Sequence, residues 1–171
     1  PIDSGAINAL LMEMKTNFEY IIVDLPRHLL AGQKRLLSMA HEVVLVAELS
    51  LAGIRDMLRI KTALTNLGCA ATMTIVASRV GPTHPSQVDV PAFEKGAQVK
   101  IDFSIPEDTK SVAMAANSGK ALGAVAAQAS VTKSLLDLAK KITGKTEDVA
   151  KKKGDGLLAR ILSHSAKKPV P

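Results

Sequence analysis

Asp24 ends an apolar run, Phe18-Glu19-Tyr20-Ile21-Ile22-Val23, and is followed at once by Leu25-Pro26-Arg27. A carboxylate at the carboxyl end of a buried strand can hold a Mg²⁺-bound water beside nucleotide phosphates. The same residue can instead cap the turn that follows the strand, and the segment alone leaves both readings open. A phosphate cradle would separate them, because clustered backbone N–H groups and a lysine must neutralise the phosphates. None is found in this sequence: Gly119-Lys120 is followed by Ala121, lacks an earlier glycine and follows a helical pattern rather than a strand. The four histidines, His28, His41, His84 and His164, have no metal-ligand spacing, and Cys69 has no partner for a C-x-x-C pair. No G-x-S-x-G elbow supports a serine hydrolase.

The elements that must position Asp24 follow from hydrophobic periodicity. Ile21, Ile22 and Val23 in succession fit a strand covered on both faces, Tyr20 to Asp24, as in a parallel sheet between helices. Ligands of such sheets bind at the carboxyl ends of the strands. Ser4 to Lys15 precedes it as a helix, and Leu29 to Ala40 follows as another. Glu42 to Glu48 reads as a second buried strand, with Glu48-Leu49-Ser50 as a strand-to-helix turn. Leu51 to Leu67 carries a helical stripe of Ile54, Met57, Leu58, Ile60, Leu64 and Leu67, with Gly68 as its C-cap.

A third strand, Thr72 to Ser78, leads into a turn-rich loop, Arg79 to Pro85. A short helix, Val90 to Lys95, precedes a fourth strand, Val99 to Ser104. Ile105-Pro106-Glu107-Asp108 opens a further helix capped by Asp108 or Thr109. Ala121 to Ala129 reads as a loop and Val131 to Ile142 as the last helix of the domain. This alternation predicts βαβ units and an α/β fold, a parallel sheet sandwiched by helices.

With 171 residues and 47% apolar content, the chain can bury one sizeable core. It begins at Pro1, which predicts a piece of a longer protein or a processed product. No apolar run reaches the roughly 18 residues of a membrane span, and the single cysteine fits a reducing cytosol. Net charge is +6, and its excess lies mainly at the end of the chain, from Lys133 to Lys168, which includes a lysine-rich tail after Gly144. With three Phe, one Tyr and no Trp, there is little on which single-stranded bases could stack. Within the tail, Leu157, Leu158, Ile161 and Leu162 form a short apolar face beside Arg160. That face suits an anionic membrane interface or a partner protein, while the plain alternative is a solvated, partly disordered tail.

The order of these segments resembles a known group. The run Phe18 to Arg27, then Val43-Val44-Leu45-Val46-Ala47-Glu48-Leu49-Ser50, then Ile105-Pro106-Glu107-Asp108 with Ala116-Asn117-Ser118-Gly119-Lys120, resembles the MinD/ParA superfamily of deviant P-loop ATPases. Within it, the Asp24-Leu25-Pro26-Arg27 form is most similar to the CpaE/TadZ pilus-assembly proteins. The resemblance covers roughly Ile2 to Thr143. It implies that residues 1–143 are the carboxyl-terminal part of an ATPase domain whose P-loop strand lies upstream, and that 144–171 form a basic tail.

The resemblance also implies ATP and Mg²⁺ as cofactors. Asp24 matches the Walker B aspartate that holds the water shell of Mg²⁺, and Ser78-Arg79 matches the strand end where relatives carry an adenine-reading asparagine. A serine hydroxyl cannot supply the paired donor and acceptor of an amide. Pro106, Glu107 and Asp108 would lie near base and ribose. The implied function is an ATP-dependent dimer switch that localises or assembles a type IV/Tad pilus secretion machine. Its setting would be the cytoplasm, with peripheral contact at the inner membrane or cell pole. A MinD- or ParA-like positioning ATPase for the division site or DNA is the alternative, and a nucleotide-independent interaction scaffold is another.

Overall fold

The computed structural model describes residues 4–81 and 88–145. The two-proline part of the loop after Arg79 lies outside the described residues, as does the tail with Leu157, Leu158, Arg160, Ile161 and Leu162. Three parallel strands, β1 (Glu42–Glu48), β2 (Thr72–Val80) and β3 (Phe103–Pro106), pair in the order β1-β2-β3. Val44 faces Thr74 and Leu45 faces Ile75 across the first pair, and Val76 faces Phe103 across the second. Parallel strands need crossovers, which α3 (Leu51–Asn66) and α4 (Val90–Ala97) supply.

Burial follows the strand period of two. On one face Leu45, Ile75 and Ala77 join Leu37, Met57, Leu64 and Phe93 in the main core, beneath α2 (Lys34–Met39), α3 and α4. On the other, Val76 and Ile105 meet Val131 of α7 (Ser130–Thr143), with Leu122 of α6 (Leu122–Val125) packed alongside. Helix α7 lies over β3, so the cover on that face thins toward β1. Val46, on this side, is 64% exposed.

The expected strand Tyr20 to Asp24 does not form. Residues 18–26 follow α1 (Ser4–Asn17) as chain without a ladder partner, and Ile22 is 95% exposed. Its course is nonetheless that of the strands. The Tyr20 hydroxyl donates to Thr143 O at 3.1 Å, at the end of α7 where Lys141 pairs with Asp102 just before β3. Seven residues on, Arg27 pairs with Asp56 near the start of α3. The segment therefore rises from the amino ends to the carboxyl ends of the sheet, parallel to β1. A strand is stabilised by its neighbours, and among the described residues no strand lies between this segment and β1.

Three smaller expectations shift. The helix Leu29 to Ala40 is divided into a 3₁₀ turn, Arg27–Gly32, and α2. The fourth strand begins at Phe103 rather than Val99, because Asp102 occupies the entry to the ladder. Its N–H donates to Ile75 O at 2.9 Å, and its carboxylate accepts the Ile75 N–H at 2.8 Å. The expected loop at Ala121 to Ala129 contains the single turn α6.

Glu94 fixes the connection before β3 by accepting the Ile101 N–H at 2.8 Å, with Lys100 at 3.3 Å. That backbone hydrogen bond, aided by Lys100, holds its carboxyl below the usual glutamate range. A depressed folded-state value gives stability that is present at neutral pH and lost as pH falls below about 4.5. Glu94→Gln keeps an acceptor but removes the titration, so its stability should depend less on pH in that window, as read by denaturant titrations. Phe93 is 1% exposed at the centre of the main core. Phe93→Ala should cost about 3–5 kcal/mol in the same assay.

Candidate functional site

The carboxyl ends of the three strands bring together Glu48, Ser78, Arg79, Pro106, Glu107 and Asp108. At the end of β1 the chain turns sharply into α3. The Ser50 N–H donates to Glu48 O at 2.9 Å, and the Ser50 hydroxyl caps the helix by accepting the Gly53 N–H at 3.0 Å. A Cβ on Gly53 would stand 2.2 Å from Glu48 O and 3.2 Å from the Phe93 ring, so only glycine allows the helix to start this close. Leu49 is buried in the main core, and its carbonyl accepts the Val88 N–H at 2.9 Å.

At the end of β2 the pairing with β3 shifts between Ala77 and Val80. Within that bulge Arg79 adopts a left-handed backbone with φ 55°. For a side chain with a Cβ this costs about 1–2 kcal/mol. Its guanidinium reaches back to β1 and pairs with the Glu48 carboxylate at 2.8 Å, with the two side chains 64% and 53% exposed. An exposed pair of this kind contributes about 0–1 kcal/mol. Ser78 is the ladder partner of Glu48.

Beyond the bulge, Val80 aligns with Pro106, and Val80 O accepts the Glu107 N–H at 3.1 Å. Asp108 caps α5 (Thr109–Ser118) by accepting the Ser111 N–H at 2.9 Å. The Ser111 hydroxyl and N–H together hold the Asp108 carboxyl below its ordinary value. Asp108 is thus committed to the helix, and its anionic charge contributes field at the rim more than a free ligand-binding group.

Ser78, Arg79, Pro106, Glu107 and Asp108 are contiguous through the β2–β3 pairing. Asp24 arrives separately, on the unpaired segment between Tyr20 and Arg27, and its exposed carboxylate makes no hydrogen bond or ion pair among the described residues. Among those residues, no three His, Cys, Asp or Glu side chains converge as a metal cage. One free carboxylate at the carboxyl end of a sheet suits Mg²⁺, which keeps most of its waters and takes its remaining ligands from phosphates. Among the described residues, Asp24 is thus the carboxylate whose chemistry fits a hydrated Mg²⁺. Glu48 is a rim residue that sequence reasoning placed only in a turn; the signal was a charged residue closing an otherwise apolar strand.

This arrangement, a parallel sheet between helices with its polar residues at the carboxyl ends, is the fold of the ParA and MinD ATPases. A ParA family ATPase from Chlorobium tepidum superposes with a TM-score of 0.73 at 20% identity, over 81% of this chain and 56% of that one. A chain of the MinC:MinD cell division protein complex of Aquifex aeolicus gives 0.71 at 21% identity, over 88% of this chain and 63% of that one. The chain thus spans less than two thirds of the length of these relatives in fold. No family model and no curated protein matches the sequence.

The close approach at the β1–α3 turn is testable. Gly53→Ala should destabilise the protein by about 1–3 kcal/mol, since backbone rather than a flexible side chain must give way. Gly32→Ala, with nothing within 4 Å of its new Cβ, should be near neutral. Chemical denaturation of the two variants side by side measures the contrast.

Proposed function

We propose that this chain is part of a MinD/ParA-like positioning ATPase, a cytoplasmic switch in which nucleotide state governs self-association and partner binding. The observation that carries this reading is the shared fold together with a free carboxylate, Asp24, at the ligand-binding end of the sheet. Residues 1–143 would form the carboxyl-terminal part of the ATPase domain, a boundary supported by the end of α7 at Thr143 and the left-handed Gly144 that follows. The remaining residues, 144–171, would be a basic tail.

When bound, Mg²⁺ would neutralise phosphate charge and orient the attacking water. Asp24 would hold the water shell of the ion. Ser78 and Arg79 on β2 and the Pro106 to Asp108 segment would border the base and ribose. The phosphate loop and its lysine would come from a preceding strand. The resemblance implies that this strand lies between the Asp24 segment and β1. The exposed Ile22 and Val46 and the unpaired outer edge of β1 support that position.

The solved relatives favour cell positioning over pilus assembly, which rests on the Asp24-Leu25-Pro26-Arg27 form and the spacing of the motifs. One of those relatives is itself a complex of two cell division proteins. Partners of this chain would accordingly be another copy of itself and a protein, membrane or DNA whose place it sets. Among the described residues no helix is long and apolar enough to cross a membrane. Membrane contact would be peripheral, through the short apolar face of Leu157, Leu158, Ile161 and Leu162 beside Arg160.

In the longest chain encoded by the native locus, Asp24→Asn should reduce ATP turnover about 10–100-fold, the usual cost of losing a group that orients a metal-bound water. Unchanged turnover would rule out the Walker B role. Residues 1–171 alone should bind ATP weakly or not at all and self-associate through the open edge of β1. Calorimetry and sedimentation velocity test both, and tight ATP binding by a monodisperse 171-residue chain would overturn the missing-strand account.

A further inference from the structure

Arg27 stands three residues after Asp24, yet the two do not pair. The Arg27 guanidinium turns to Asp56 of α3 instead, while the exposed Asp24 carboxylate makes no hydrogen bond or ion pair among the described residues. We propose that Asp56 is a positioning residue that diverts Arg27, and so keeps the Asp24 carboxylate open to a hydrated divalent cation. This rests on the reading of Asp24 as the residue that holds the water shell of Mg²⁺.

Three observations carry the proposal. Three residues of chain span at most about 11 Å, a gap that a long arginine side chain and a carboxylate can close between them. Pro26 is extended, with φ −60° and ψ 136°, and its carbonyl accepts the Leu29 N–H at 2.9 Å. Leu25 packs against the main core, and the 3₁₀ turn that begins at Arg27 lies against α3. The backbone around Arg27 is therefore held, and only its side chain has to move for it to change partner.

Asp56 is the better of the two partners. Its side chain is 32% exposed and sits on an ordered helix, so solvent and salt screen this pair less than one made with exposed Asp24. Without Asp56, the unpaired carboxylate nearest to Arg27 in sequence is Asp24. A guanidinium grips any carboxylate through its planar fork, and a pair between Arg27 and Asp24 would cancel the charge that a hydrated cation requires.

The test uses the longest chain encoded by the native locus, as wild type, D56N, R27Q, R27Q/D56N and D24N. Calorimetry measures the affinity of each for adenylyl imidodiphosphate with and without Mg²⁺, at low salt. The ratio of the two affinities isolates what the metal contributes. D56N should lower that ratio about 2–5-fold, the range of an exposed ion pair competing for Asp24. R27Q and R27Q/D56N should keep the wild-type ratio. Recovery in the double variant would also show that the loss in D56N is not a folding defect, because both proteins lack Asp56.

An unchanged ratio in D56N, or a loss that persists in R27Q/D56N, would overturn the diversion. So would R27Q losing as much as D56N, which would make the pair a simple anchor. R27Q gaining what D56N loses would overturn it in favour of a general effect of net charge. D24N should lower the ratio in every case where only the diversion fails. A wild-type ratio in D24N, or no binding of the analogue by any of the proteins, would overturn the Asp24 reading together with the proposal.

Discussion

Burial of β2 from both sides is the constraint on which the rest of this structure depends. Thr74, Ile75, Val76 and Ala77 are all buried, with alternate side chains entering opposite faces. Each face must then be roofed, one by α2, α3 and α4, the other by α6 and α7. Parallel pairing on both sides of β2 forces every connection to return across a face before the next strand begins. The loops that carry polar residues are thereby collected at one end. Even the buried hydroxyl obeys this economy: Thr74 donates to the Glu42 carboxylate of β1, so the central strand brings no unsatisfied polar side chain into the interior.

Much of this was legible because the signals were local. The strand Glu42–Glu48 and the helix after it follow from an apolar run, a strand-to-helix turn and a stripe at helical spacing. Asp108 was readable as a cap because a carboxylate just ahead of a helical pattern finds a free backbone N–H. The failures are those of long-range context. Ile21-Ile22-Val23 has the composition of a buried strand, yet composition does not provide a hydrogen-bonding neighbour. Val99 to Asp102 has strand-like residues, but the Asp102 carboxylate takes the Ile75 N–H that continued pairing would have used.

The candidate site divides in the same way. Ser78, Arg79 and Pro106 to Asp108 could be placed at strand ends from the pattern alone. The left-handed backbone of Arg79 could not, because an arginine carries no preference for it; the bulge needed to realign Val80 with Pro106 imposes it. That twist turns Arg79 toward β1, which is why Glu48 belongs to the rim. Charge is also sorted along the strand axis. Lys100, Lys141 and Lys145 lie at the amino ends with their acidic partners, and Lys141 and Lys145 also sit over the rings of Phe103 and Tyr20 at 5.5 and 5.1 Å. The carboxyl ends hold Glu48, Arg79, Glu107 and Asp108.

The one-sided pairing of β1 has a consequence for how the sheet breathes. In a parallel strand, successive amides point alternately to the left and right neighbour, and β1 has a described neighbour only in β2. Within its seven residues, amides directed at β2 should exchange with deuterium through cooperative opening of the core, whereas the alternate amides should exchange almost as freely as a loop. A single element thus carries two clocks, and docking a further strand against its outer edge would bring them to one time.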